Sequence, residues 1–118
     1  MKKIIFYSYL KCSTCIKAAK WLKSKDLEFQ LIDIVKEPPV VKYLNLALEQ
    51  YSDDKKRIFN TRGKAFKNLN LDINGLSRKE TIQLLLSDGK LIKRPFLIYK
   101  GKKVILGFNE IEYAKQFV

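Results

Sequence analysis

The chain contains no histidine and only two cysteines among its 118 residues. A four-coordinate structural zinc site needs four ligands, so two thiols without a histidine cannot complete one within a single chain. No apolar run approaches the roughly 18 residues that a membrane-spanning helix requires. The apolar stretch after Lys2-Lys3 is short and meets charge again at Lys11, which is not the pattern of a secretory leader. The expectation is a cytoplasmic protein, in which two cysteines are reduced or catalytic rather than a permanent staple. Acidic residues are also few, 12 against 24 basic, for a net charge of +12. The lysines are scattered from Lys2 to Lys115, and no nucleic-acid recognition motif accompanies them. They read as a solvated surface that favours anionic partners, with no direct contact to nucleic acid expected. Internal repeats, low-complexity segments and linkers are lacking too. A length of 118 residues therefore predicts one domain, 1–118, large enough to bury a core without disulfides, and a monomer by default.

Ile4-Ile5-Phe6-Tyr7 reads as the heart of a first strand over 3–8, and 13–24 as a first helix. In that helix Ile16, Ala19, Leu22 and Trp21 are expected to face the core, with Lys17, Lys20 and Lys23 in solvent. A turn at Ser24-Lys25-Asp26 leads to a second strand from Leu27 to Ile34, paired in parallel with the first through a right-handed crossover. Glu37-Pro38-Pro39 then breaks the pattern. Pro39 suits the first turn of a helix over about 40–50, with Val41, Leu44, Leu48 and Tyr51 as its apolar stripe. Asp53-Asp54 caps a short helical piece ending near Asn60, and 64–68 gives another helical turn. Ser77-Arg78-Lys79-Glu80 is a capping box that opens a helix through Ile82, Leu85 and Leu86, stopped by Asp88-Gly89. Residues 36–89 thus read as an all-helical insertion without strand signals, in which Phe59, Phe66, Leu69 and Leu84-Leu85-Leu86 are core. After it, Phe96-Leu97-Ile98-Tyr99, a turn at Lys100-Gly101-Lys102 and Val104-Ile105-Leu106 form a hairpin. Asn109 caps a last helix over about 110–117. The order β-α-β…β-β-α around a mixed four-stranded sheet is the α/β architecture of a thioredoxin-like fold, here with the helical insertion between its halves.

The residues that carry chemistry lie at Tyr9-Leu10-Lys11-Cys12-Ser13-Thr14-Cys15. A C-x-x-C between a strand and a helix in a reducing compartment is a redox signature. Cys12 falls at the helix N-terminus, where unpaired backbone N–H groups and the helix dipole favour a thiolate, the nucleophilic form. Cys15 sits one turn on and can resolve a bond formed at Cys12. Two buried structural thiols are the bland alternative. Arg94-Pro95 comes just before the third strand. A proline opening a strand gives up no ladder bond, but in thioredoxin-like folds a cis-proline here packs against the redox site. Arg94 would then lie beside Cys12 to stabilise its thiolate or bind an anion, unless it is a solvated loop residue. Arg62, one of four arginines, is a further candidate against the plainer reading of a surface charge. Lys11 adds a weak positive bias next to Cys12.

Together these segments resemble the arsenate reductase-related family, which includes ArsC-type reductases and Spx/MgsR-type regulators. The matching pieces are Cys12-Ser13-Thr14-Cys15-Ile16-Lys17-Ala18, Pro38-Pro39, Phe59-Asn60-Thr61-Arg62-Gly63, 85–89, Ile92-Lys93-Arg94-Pro95 and Gly107-Phe108-Asn109-Glu110. The resemblance implies that Cys12 matches the reductases' attacking cysteine, and Arg94 one of the three arginines that hold the oxyanion. The first of those arginines falls at Asn60, with Arg62 two residues away, and the last at Gly107. Spx-type regulators resemble the chain in the C-x-x-C switch and in Thr61-Arg62, and bind the α subunit of RNA polymerase; a glycine of their contact region aligns near Asp54. The phrases around Phe59-Asn60-Thr61 and Ser87-Asp88-Gly89 are most similar to a third, glutaredoxin-like branch. The resemblance therefore implies a thiol–disulfide redox protein with Cys12 as nucleophile, Cys15 as resolving thiol and Arg94 as anion partner, and with Lys11, Ser13, Thr14, Arg62 and Pro95 around them. It implies no bound cofactor, a thiol reductant such as glutathione or thioredoxin as co-substrate, and a thiol or disulfide protein or small molecule as partner. The Spx-type regulator and the arsenate reductase are the alternatives.

Overall fold

The computed structural model describes residues 3–117. Four strands form one mixed sheet in the order β2-β1-β3-β4: β1 (Ile4–Ser8), β2 (Gln30–Asp33), β3 (Phe96–Tyr99) and β4 (Lys103–Leu106). β1 pairs in parallel with β2 and antiparallel with β3, which pairs antiparallel with β4. The central strand reads Ile4-Ile5-Phe6-Tyr7, apolar at every position, because both faces of the sheet are covered. Alternation sends Ile4 and Phe6 to one face, where they meet Leu97, Ile105 and two helices, α1 (Ser13–Ser24) and α5 (Glu110–Phe117). Ile5 and Tyr7 go to the other face, against Phe96, Ile98, Val104 and the segment that joins β2 to β3. The architecture is the expected mixed four-stranded α/β sheet.

Several boundaries and faces differ from expectation. The second strand is confined to Gln30–Asp33, because Leu27 and Phe29 leave the ladder and pack on the α1 face, with the Phe29 ring 5.3 Å from that of Phe6. α1 buries Cys15, Ala18, Trp21 and Leu22, while Ile16 is 49% exposed. The buried stripe therefore starts at Cys15, one residue earlier than the bulkiest side chain would suggest. In α2 (Val41–Gln50) the buried stripe is Leu44, Ala47 and Leu48, and Val41 lies in solvent. Val40 is the cap of α2, so Pro39 is buried ahead of the helix and not in its first turn.

The joining segment continues through a 3₁₀ turn at Lys55–Ile58, α3 (Lys64–Lys67), a 3₁₀ turn at Ile73–Gly75, α4 (Arg78–Ser87) and a 3₁₀ turn at Gly89–Leu91. The capping box at α4 is formed in both directions, Glu80 N–H to Ser77 Oγ at 3.1 Å and Ser77 N–H to Glu80 Oε1 at 2.9 Å. Leu85 is buried, but Leu86 is exposed, because the helix presents one side to the core. One strand-like contact interrupts the stretch expected to be wholly helical. Phe59 lies opposite Ile92, with Asn60 N–H bonded to the Leu91 carbonyl and Lys93 N–H to the Ile58 carbonyl, both at 2.8 Å. This short ladder brings the turn holding Thr61 and Arg62 alongside Lys93-Arg94. Among the described residues, no helix is long and apolar enough to cross a membrane.

Candidate redox site

β1 ends at Ser8, and Tyr9-Leu10-Lys11 turns the chain into α1. The Cys12 N–H closes that turn on the Tyr9 carbonyl at 3.0 Å. Cys12 takes the cap position with extended backbone (φ −102°, ψ 108°), and its sulfur accepts the Cys15 backbone N–H at 3.2 Å. A cysteine thus does what serine or aspartate does at most helix starts, answering one of the orphan N–H groups with a side-chain atom. Ser13 and Thr14 open the helix behind it, and Lys11 is exposed on the turn before it.

The two thiols are free and unequal. Cys12 is half-buried, whereas Cys15 is fully buried on the α1 face of the sheet. Burial pushes the Cys15 thiol from its ordinary 9.0 up to about 12, and its hydrogen bond to the Cys12 sulfur adds to this. The Tyr9 backbone and the Ser8 hydroxyl oppose the shift without cancelling it. Burial likewise raises Tyr113, which lies close enough to Cys15 for their charges to repel. The site therefore pairs an accessible sulfur held on a helix N-terminus with a second sulfur kept protonated beneath it.

A pH dependence follows. Cys15 at about 12, Tyr7 at about 12 and the raised Tyr113 all hold protons in the fold that the unfolded chain gives up earlier. Their contribution is complete below about pH 9 and is lost as pH rises towards 12, because the unfolded state is then the more readily ionised one. Thermal melts followed by circular dichroism should show Tm falling over that alkaline range. The fall should be shallower in Cys15→Ala than in the parent; equal slopes would remove Cys15 from the account.

Arg94 reaches the site through an aromatic ring. Its guanidinium lies over Tyr9, 4.9 Å from the ring centroid, and its Nη1 donates to the Lys90 carbonyl at 3.4 Å. Tyr9 in turn accepts the Cys12 N–H, so Arg94 and Cys12 share one neighbour. The Arg94–Pro95 peptide is cis, and Pro95 is buried. The Pro95 carbonyl accepts the Gly107 N–H at 2.9 Å, and the Gly107 carbonyl accepts the hydroxyl of fully buried Tyr113 at 3.1 Å. Gly107 sits at φ +71°, a backbone conformation side chains rarely adopt, and a Cβ there would meet Lys93 Cε at 3.3 Å. Arg62 is exposed on its turn, and among the described residues no hydrogen bond joins it to the Cys12 loop.

The sequence alone gives Ser8, Tyr9 and Tyr113 no specific role at the site. Tyr9 stands directly before the C-x-x-C turn, which is a usable signal; Tyr113 carries none, since its proximity to Cys15 arises only when α5 packs on α1. A larger cleft, about 980 Å³, opens at the far end of β1 between Lys3, Leu27, Phe29 and Tyr99, and neither cysteine lines it.

Fold and site together define a thioredoxin-like α/β protein with a free dithiol where its first strand hands over to its first helix. The chain belongs to the ArsC family, whose model matches residues 7–116. It is 40% identical over 116 residues to YusI of Bacillus subtilis, covering 97% of this chain and 98% of that one. It is 34% identical over 112 residues to the global transcriptional regulator Spx of Lactiplantibacillus plantarum, covering 95% and 84%. Among solved structures, a Streptococcus mutans protein described as a possible arsenate reductase superposes with a TM-score of 0.90 at 37% identity, covering 99% of this chain and all of that one. The chain is thus related both to regulators and to reductase-like proteins.

Proposed function

We propose that the protein exchanges thiols and disulfides, with Cys12 as nucleophile and Cys15 as resolving thiol. The observation that carries this reading is the asymmetry of the pair: an accessible sulfur at a helix cap above a buried, protonated one. In the forward direction the Cys12 thiolate attacks one sulfur of a substrate disulfide, and the other sulfur departs as a thiolate that takes a proton from water. Cys15 then attacks the Cys12 sulfur, giving its proton to the departing substrate thiolate. The substrate disulfide ends as two thiols and the protein as a Cys12–Cys15 disulfide, which a reductant such as glutathione or thioredoxin returns to the dithiol. In this reading Ser13 and Thr14 open the helix behind the attacking sulfur, Arg94 acts through Tyr9, and Lys11, Pro95 and Arg62 are the further candidates for shaping the site.

A second reading is a redox-responsive regulator acting by contact with the α subunit of RNA polymerase, and the similarity to Spx favours it. Arsenate reduction ranks behind both, because Gly107, with its left-handed backbone, and Asn60 stand where the reductases' other two arginines are expected. The separating experiment is a pull-down with Cys15→Ser protein from its native cytosol, eluted with salt and then with reductant. Proteins released by reductant alone are the expected result and identify exchange partners. RNA polymerase subunits released by salt, and captured equally by Cys12→Ser, would instead support the regulator.

A further inference from the structure

The surface around Cys12 is neither evenly polar nor evenly charged. Leu10, two residues before Cys12, is 85% exposed, and Leu31 on β2 is 62% exposed. They share a groove of about 160 Å³ with Ser8, Tyr9, Ile32 and Asp33. That volume is well below the roughly 300–1,000 Å³ of a small-molecule or cofactor pocket, and suits a single side chain. β2 is an edge strand of the sheet, paired only with β1 among the described strands. Beyond the cysteines, Ile16 is also half-exposed, and α1 shows Lys17, Lys20 and Lys23 to solvent without one acidic residue in the helix. Two exposed leucines sharing a groove near Cys12 in the chain, with a row of lysines on the helix that follows, mark an interaction surface more than chance exposure.

We propose that this surface docks an acidic polypeptide segment whose disulfide-bonded cysteine is attacked by Cys12, its former sulfur partner leaving as a thiolate, and whose neighbouring apolar residue enters the Leu10–Leu31 groove. The inference rests on the exchange reading above and names its substrate class. The charge selects the occupant. A second copy would bring the same excess of basic residues, a net +12, and be repelled, whereas an acidic segment is drawn in and held. Asp33, the carboxylate at the groove, is already engaged by the Val35 and Lys36 N–H groups at 2.9 and 3.1 Å, so its charge is partly answered from within. The groove's apolar walls, and Cys12 two residues along the chain from Leu10, favour a polypeptide over a nucleic acid, which has no disulfide to offer.

The test uses three probes, each a cysteine joined by a disulfide to thionitrobenzoate: an acidic peptide with leucine beside the cysteine, its lysine counterpart, and free cysteine. Cys12 forms a disulfide with the probe's cysteine sulfur and expels the coloured thionitrobenzoate anion, which gives the rate. With Cys15→Ser protein at low salt, the acidic peptide is expected to react about tenfold faster than the other two, with the advantage shrinking as salt screens it. Leu31→Thr, and separately Lys17→Glu with Lys20→Glu, should remove that advantage and leave the free-cysteine rate unchanged. Equal rates for all three probes would overturn the docking surface while leaving the exchange reading intact. Release from none of them would overturn the exchange reading and this surface with it. An oligonucleotide that shields Cys12 better than a cysteine-free acidic peptide of equal charge would assign the face to nucleic acid and overturn the proposal.

Discussion

Cys12→Ser is expected to lower thiol–disulfide exchange on the order of a thousandfold or more, to the level of the uncatalysed reaction, because a hydroxyl is almost never ionised near neutrality. The substitution separates chemistry from folding unusually well. The Cys12 sulfur accepts the Cys15 N–H at the helix cap, and serine is a preferred residue for that role, so α1 should keep its start and Tm should hold or rise slightly. Cys15→Ser should behave differently. The attacking sulfur remains, but no second sulfur lies beneath it, so mixed disulfides should form at the parental rate and then persist. Stopped-flow exchange with a model disulfide, followed by intact mass, reads both steps. Exchange surviving in Cys12→Ser would move the nucleophile elsewhere, and full dithiol cycling by Cys15→Ser would end the resolving role.

What could be read from the sequence depended on how local each feature is. The limits of α1 and the capping box of α4 are set by residues within one turn, and both were legible. So were β1 and β3, whose unbroken apolar runs fit strands covered on both faces. Trp21 and Leu22 are buried in α1 as expected, but the start of its buried face was not legible, because hydrophobicity ranks Ile16 above Cys15 and Ala18. The Cys15 N–H bonds back to the Cys12 sulfur at the cap, and Cys15 and Ala18 are the residues that meet the sheet. The C-x-x-C motif announced the dithiol, but the inequality of its two sulfurs comes from burial, which depends on α1 seating against β1. The stacking of Arg94 on Tyr9 and the Phe59–Ile92 bridge join segments far apart in the chain, with no periodicity to reveal them. Ile58 and Ile73 are fully buried from single 3₁₀ turns, too short to show a pattern.

Gly89 shows the same gap between a local and a tertiary cause, and it leads to the second large effect. By sequence it is a helix stop after Asp88. In the structure it is buried against the chain that leaves β2. A Cβ on Gly89 would lie 2.1 Å from the Ile34 carbonyl oxygen, 2.8 Å from the Ile34 carbonyl carbon and 2.8 Å from the Val35 Cα. All three are backbone atoms, which cannot swing aside as a side chain can. Gly89→Ala should therefore cost about 2–4 kcal/mol, lowering Tm on the order of ten degrees. Gly75→Ala is the matched control, since its nearest neighbour would be Asp72 Oδ2 at an ordinary 3.5 Å, and its Tm should barely move. Equal melting of the two variants would refute the close approach. The displacement should also reach the dithiol. Ile34 donates its N–H to the Ser8 carbonyl at 2.9 Å, and Ser8 ends β1 directly before the turn that leads to Cys12 and Cys15. Pushing Ile34 away from Gly89 disturbs the end of β1 and loosens the burial of Cys15, so Cys15 should alkylate faster in Gly89→Ala than in Gly75→Ala at temperatures where both remain folded.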